Sequence, residues 1–388
     1  MARIALVNVP FYSHTGAMTR LAGVLVRQGH EVIVWAHDLS REQIEACGAR
    51  FESHDPELPR VKGFRFAAGL AAATEQCAEP LIAQLHALDA DLLVRDSQTP
   101  WALVAGDYLG IPRIVSHPMF PIVAPAPGSG GDRAPAEPGS DHQEEQARER
   151  FEASWLSIAR RWGVEIEDLN GVFHSTAEIT LTYTTEKIVG DHQLRQGWHC
   201  VGPLMAPPPP AQPRGARPLV YVCFGTSYNF RPELFRAVIG GLADQAFDVL
   251  ISTGRGTVSG GALEPLPANV EVREFVSARE VLARASVHVT HGGCNSVHES
   301  LLAGVPMVCI PQAFDQSPLA QRVEQLGAGL LVNEDPVEIR DGVRLLVGSA
   351  KARSRARALS NHLAHYDGEA RVAALIDSVL SGNAALAG

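Results

Sequence analysis

The sequence predicts an α/β protein of two Rossmann-like domains, each a doubly wound parallel sheet, facing one another across a cleft. Three observations carry this. Short β-branched apolar runs alternate with longer stretches of helical period, a proline-rich stretch interrupts the rhythm midway, and the rhythm then restarts. Strands buried on both faces read as continuous apolar runs rather than alternating ones, which favours parallel sheets over antiparallel.

Taken in order, RIALVNV reads as the first strand, AMTRLAGVLVRQG as an amphipathic helix stopped at Gly29, and EVIVWA as the second strand. The unit repeats with DLLVRD over 91–96, a helix around 100–109 and IPRIVS over 111–116. The stretch APAPGSGGDRAPAEPGSDHQEE, 124–145, is acidic and rich in Pro, Gly and Ser. It reads as a disordered loop, with a lid as the alternative. Residues 203–218, PLMAPPPPAQPRGARP, cannot bury a core and read as a stiff linker. LVYVCFG, RPELFRAVIGGLAD, FDVLIST, NVEVREFV and ASVHVTH then rebuild the strand–helix pattern. The expected division is 1–202 for a first Rossmann-like domain, 203–217 for the linker and 218–370 for a second Rossmann-like domain. A helical tail over 371–388 is expected to pack back on the first domain.

Composition narrows the function classes. At 388 residues the chain is long for one core, and 46% hydrophobic with 20% charged residues is ordinary for a globular protein. A formal net charge of −10 argues against a nucleic-acid partner or an anionic membrane surface, both of which select basic faces. Cys47, Cys77, Cys200, Cys223, Cys294 and Cys309 are scattered without CxxC spacing, which points to a reduced, cytoplasmic protein. MARIALVNVPFYSH reads as a first strand rather than a signal peptide, and no apolar run is long enough to span a membrane. A monomer or homodimer with small-molecule partners is expected.

The most informative stretch is VHVTHGGCNSVHESLLAGVPMVCIP, Val287–Pro311. Gly292 and Gly293 allow a sharp turn and a close backbone approach, and a helix starting there aims N–H groups at an anion. Gly304 supplies the helix stop. Asn295 and Glu299 share a helical face, while Val297 and Leu301 can turn to the core. Two alternatives stay open. Ser296-x-x-Glu299 has capping-box spacing, and His291, Cys294 and His298 could hold a metal, although their spacing matches no standard zinc pattern. Further on, Asp315 and Gln316 follow the strand ending at Ile310-Pro311, where ligands bind in a doubly wound sheet. A phosphate site beside hydroxyl-reading side chains describes a nucleotide sugar.

From His291 to Gly329 the sequence resembles the donor-binding signature of family-1 glycosyltransferases of GT-B fold, on their bacterial macrolide- and natural-product-modifying branch. The resemblance extends in layout over essentially the whole chain. It implies that His291, Gly293, Cys294, Asn295 and Ser296 hold the diphosphate, that Glu299 binds ribose hydroxyls, and that Asp315 and Gln316 accept from the sugar. The turn Gly225, Thr226, Ser227 would close over the phosphates. Phe275 would stack on the base and Val276 would present its backbone to the base edge. Relatives carry Pro-Gln after these two, where this chain has Ser277 and Ala278. Uridine and thymidine therefore both stay open as the base.

The first strand-to-helix loop, VPFYSHTGAM, lacks the GxGxxG of a dinucleotide site and carries His14 instead. The resemblance implies that His14 is the general base and that Asp96, at the end of DLLVRD, holds it; a helix cap is the bland reading of Asp96. It further implies a single in-line displacement that inverts the anomeric centre, with no metal and no tightly bound cofactor, the UDP- or TDP-sugar being a co-substrate. Phe11, Tyr12, Trp101, Met119 and Phe120 are candidates for an apolar acceptor pocket beside His14; each reads equally well as core, and Trp101 better so. A macrolide or polyketide acceptor and UDP-glucose lead, with a TDP-deoxysugar as the near alternative. Two other classes compete. A nicotinamide-dependent oxidoreductase could use Asp38 on a ribose but lacks the glycine fingerprint, and a non-catalytic partner protein would be expected to lack His14 or Asp96.

Overall fold

A computed structural model describes residues 1–59, 61, 63–121, 140–164, 179–190, 194–206, 208–210, 216–225, 231–254, 258, 260–313 and 316–382. Within them lie two sheets. The first contains β1 (Arg3–Val7), β2 (Glu31–Ala36), β3 (Arg50–Ser53), β4 (Leu92–Asp96), β5 (Arg113–His117), β6 (Ile179–Thr182) and β7 (Trp198–Cys200), ordered β3-β2-β1-β4-β5-β6-β7. The second contains β8 (Leu219–Cys223), β9 (Asp248–Ser252), β10 (Val270–Arg273), β11 (Val287–Thr290), β12 (Met307–Cys309) and β13 (Gly329–Leu331), ordered β10-β9-β8-β11-β12-β13. Neighbouring strands are parallel in both sheets. The strand order reverses between β1 and β4 in the first sheet and between β8 and β11 in the second. Connections diverge to opposite faces at these points and leave a crevice beyond the strands' carboxyl ends.

Helices α1 (Tyr12–Arg27), α2 (Arg41–Ala46), α3 (Gly63–Leu88), α4 (Pro100–Leu109), α5 (Ser140–Trp162) and α6 (Glu186–Val189) accompany the first sheet. After it come α7 (Pro232–Leu242), α8 (Ala278–Leu282), α9 (Cys294–Leu302), α10 (Gln316–Gln325), α11 (Pro336–Gly348), α12 (Ala350–Ala364) and α13 (Gly368–Leu380). Alternate residues of β1 serve two cores. Ile4 and Leu6 pack with Met18, Leu21 and Leu25 of α1, while Ala5 and Val7 pack with Leu70, Trp101 and Val104 on the other face. Each such side chain taken fully from water contributes about 1.5–3 kcal/mol. Trp101 is fully buried core, as its sequence context suggests. Val372, Ile376 and Val379 of α13 join the cluster of Ile4, Leu6 and Met18, so the last described helix packs against the first sheet.

Three expectations are corrected. Helix α1 begins at Tyr12, because the Thr15 N–H already bonds the Phe11 carbonyl at 2.9 Å; His14 therefore lies in a first helical turn, not in a loop. Residues 140–145 belong to α5, whose Phe151 and Trp155 bury in the core beside α3; residues 122–139 lie outside the described residues. The strand expected over NVEVREFV ends at Arg273, paired along one side with β9, so Phe275 and Val276 sit in the following loop. Among the described residues no helix is long and apolar enough to cross a membrane.

Candidate active site

The reversal point of the first sheet carries a buried dyad. Asp96 ends β4, His14 enters α1 from the end of β1, and His14 Nδ1 lies 2.8 Å from Asp96 Oδ2. The Asp96 side chain has no exposure and that of His14 only 6%. The second carboxylate oxygen accepts the Gln98 N–H at 2.8 Å, and Thr99, not Asp96, is the N-cap of α4. The helix-cap reading of Asp96 thus falls. With Nδ1 bonded to the carboxylate as N–H donor, Nε2 is the nitrogen that can accept a proton.

Around the dyad, Phe11 packs edge-on against the His14 ring at 5.7 Å and meets Phe66 of α3 at 6.0 Å. Met119 is partly exposed, and its Sδ lies 3.7 Å from Gln98 Nε2. Phe120 is corrected from pocket wall to core. It is 2% exposed and packs with Val297 and Leu301 of α9, because β5 leads the chain straight under the second domain. The Tyr12 side chain lies outside the described residues.

The reversal point of the second sheet carries the glycine-led turn. Gly225 follows β8 at φ +78°, and His291 follows β11. The imidazole lies between two glycines. A Cβ on Gly225 would sit 2.8 Å from His291 Cε1, and one on Gly293 would sit 2.2 Å from Nε2. Neither position accepts a side chain without displacing the ring. Desolvation pushes His291 down to about 4, so the ring is neutral near pH 7 and offers a hydrogen bond rather than a charge.

Helix α9 begins at Cys294 with Gly293 as N-cap, and Ser296 is already inside the first turn. The Ser296-x-x-Glu299 pair is therefore no capping box, and no N-cap side chain covers the N–H groups of that turn. Val297 and Leu301 are fully buried, which turns Asn295, Ser296 and Glu299 to the partly exposed side. Burial pushes the Glu299 carboxyl upward, and the charge of Arg20 opposes it. His298 commits both ring nitrogens, Nδ1 at 2.7 Å from the Cys294 carbonyl and Nε2 at 3.0 Å from Thr184 Oγ1, an arrangement that disfavours it as a metal ligand.

The loop after β12 is braced from within. Gln316, 4% exposed, accepts the Gln312 and Ala313 N–H groups at 2.7 and 3.1 Å through its Oε1. Its expected role as acceptor from a sugar is corrected accordingly: the oxygen is taken, and the amide nitrogen is what it can present. Arg231 bonds Gln312 Oε1 at 2.6 Å and Glu334 Oε1 at 3.0 Å, a brace that sequence reading missed. Phe275 is 53% exposed. Val276 is partly buried against the cluster of Tyr221 and Leu250. Thr226, Ser227 and Asp315 lie outside the described residues.

The two sites meet. Arg20 of α1 reaches Asn295 Oδ1 at 3.2 Å and the Pro203 carbonyl at 3.2 Å, joining the helix of His14 to the helix that follows His291. Sequence reading missed Arg20 and Phe66, because each is noticed only when the facing element is known. Elsewhere Arg322 of α10 bonds the Lys187 and Ile188 carbonyls of α6, and Tyr366 bonds Glu186. These contacts fix the domains against one another.

Comparison with known proteins agrees with this layout. Residues 238–376 match the family described as erythromycin biosynthesis protein CIII-like, C-terminal domain. NDP-glycosyltransferase YjiC of Bacillus subtilis (strain 168) is 33% identical over 171 residues, a match spanning 43% of this chain and 43% of that relative. Zeaxanthin glucosyltransferase of Pseudescherichia vulneris is 25% identical over an alignment of 414 positions covering 99% of both chains. The crystal structure of CalG4, the calicheamicin glycosyltransferase, superposes with a TM-score of 0.77 at 23% identity over 98% of each chain, which shows the shared fold. The chain thus has the two-sheet GT-B fold and is similar to bacterial glycosyltransferases, its residues 238–376 matching the erythromycin CIII-like C-terminal domain.

Proposed function

We propose that the protein transfers a hexose from a nucleoside-diphosphate sugar to a hydroxyl of an apolar natural product, with inversion at the anomeric carbon. The observation that carries this reading is the buried His14–Asp96 pair, set on a helix that touches the start of α9. His14 Nε2 removes the acceptor proton, and Asp96 fixes the tautomer and stabilises the imidazolium that forms. The acceptor oxygen attacks the anomeric carbon in line as the bond to the diphosphate breaks, through a transition state of oxocarbenium character. Charge growing on the departing diphosphate is met by hydrogen bonds from His291 and the first-turn N–H groups of α9. Glu299 binds the ribose, Phe275 stacks on the base, and Asp315 with the Gln316 amide reads the sugar. Phe11 and Phe66 beside the dyad suit an apolar acceptor.

The test is a mass-spectrometric screen of UDP-glucose and TDP-sugars against hydroxylated aglycones, with the product anomer assigned by NMR. A β-linked glycoside from an α-linked donor is expected. Retention of configuration, or no transfer across the panel, would overturn the reading.

A further inference from the structure

The start of α9 offers hydrogen bonds but carries no cationic side chain of its own. No Lys or Arg occurs between Val287 and Ala303, and the ring of His291 is neutral near pH 7. A diphosphate leaving group gathers negative charge as the glycosidic bond breaks, and a cation beside the helix dipole would add to its stabilisation. Among the described residues, Arg20 of the other domain reaches the start of α9.

Arg20 stands one helical turn after Gly16 on α1. Helical side chains lean toward the N-terminus, so the side chain of Arg20 runs back over Gly16 toward the turn that holds His14. A Cβ at Gly16 would lie 3.3 Å from an Arg20 guanidinium nitrogen. The guanidinium ends 3.2 Å from Asn295 Oδ1, with Nε held by the Pro203 carbonyl at the domain junction. A guanidinium only donates, so it accepts no contact from the Asn295 amide nitrogen. The Asn295 oxygen is thereby turned to Arg20 and its NH₂ group away from it. The same charge is felt at Glu299.

We propose that Arg20 is the cation of the donor site, supplied by the opposite domain, and that it acts on the diphosphate by aiming the Asn295 amide and offsetting the phosphate charge. It is a positioning residue, and its second consequence is that diphosphate binding and domain apposition reinforce one another. The proposal rests on the nucleotide-sugar reading above and deepens it.

The experiment compares wild type, R20Q and R20K by calorimetric titration with UDP, TDP, UMP and TMP, alongside melting temperatures. The ratio of diphosphate to monophosphate affinity is the readout, because a purely structural role would lower both affinities together. R20Q is expected to cut that ratio about tenfold, the size of one lost charge-assisted hydrogen bond. R20K, which keeps the charge but not the planar fork, should restore part of it. Added salt should erode the wild-type preference more than that of R20Q. An unchanged ratio in a folded R20Q would overturn the inference while leaving the nucleotide-sugar reading intact. Absence of nucleotide binding by wild type would overturn both. If R20Q fails to fold, R20K decides: a diphosphate-to-monophosphate ratio that falls with added salt supports the charge role, and one without salt dependence overturns it.

Discussion

Both domains set a histidine at the point where their strand order reverses, and the two have different surroundings. His14 has a carboxylate at 2.8 Å and takes the tautomer that leaves Nε2 able to receive a proton. His291 has glycines against its ring, a threonine hydroxyl 3.4 Å from Nδ1, and burial that holds it at about 4. One imidazole is paired with a carboxylate, and desolvation keeps the other neutral near pH 7. The fold offers the same location twice, and under the proposed reading the neighbouring residue decides between base and hydrogen-bond donor.

The largest effect that would break this contrast lies in the first domain. His14→Ala is expected to lower kcat by about 10²–10⁴-fold, the usual contribution of a positioned general base. Calorimetry should find UDP or TDP affinity within about twofold of wild type, since the lost ring is not on the diphosphate side. Turnover at the wild-type rate would remove His14 from the chemistry. A comparable loss of nucleotide affinity would erase the division of labour between the two histidines.

Gly293→Ala should produce the mirror image. Its Cβ would fall 2.2 Å from His291 Nε2, so the ring must swing off the donor site. Misplacement of that order costs about 10²-fold in donor kcat/KM. The first sheet and its dyad are untouched, so the pH profile of the remaining activity should keep its shape. Retained donor affinity in this variant would mean that the imidazole is not where the phosphates bind.

How much of this could be read from the chain follows from what each feature depends on. Strand and helix alternation is local, so RIALVNV and ASVHVTH declared themselves, and the family resemblance singled out His14, Asp96 and His291 as separate points. Contacts made between elements were silent. Nothing near Gln316 in sequence says that its oxygen will be taken by Gln312 and Ala313 N–H groups. Phe120 reads as either pocket wall or core after a strand until α9 is seen to pack on it. Boundaries failed where a backbone bond extended an element, as at Tyr12, or where partner strands ran out, as after Arg273. Arg20 is the clearest case: its meaning lies in Asn295, far along the chain.

The domains should also differ in acid. Burial holds His288 at about 3 and His291 and His298 at about 4 in the second domain, against His54 at about 4 in the first. These rings are neutral when folded and titrate near 6.5 when unfolded, so between about 6.5 and 4 the unfolded chain binds more protons. Stability is therefore full above pH 6.5 and falls as pH drops toward 4. His288 and His298 are 1% exposed, and each contributes a slope of up to about 1.4 kcal/mol per pH unit. Thermal melts at pH 7.5 and 5.5 test this, and H298Q should flatten the dependence. Equal melting temperatures at the two pH values would mean that the rings are protonated in the fold.

The smallest effect separates two jobs within one side chain. Gln316 braces the loop through Oε1 and has only its NH₂ group to present to a sugar. Gln316→Glu keeps an acceptor for the two backbone N–H groups and removes the donor. Gln316→Ala removes both and leaves buried N–H groups to find water, which costs about 1–3 kcal/mol. The glutamate variant should therefore melt near wild type while its donor KM rises about three- to tenfold, one neutral hydrogen bond's worth. The alanine variant should lose both affinity and melting temperature. If the glutamate variant matched wild type with every sugar donor tried, Gln316 would be a brace alone, and reading of the hexose would rest on other groups around the turn.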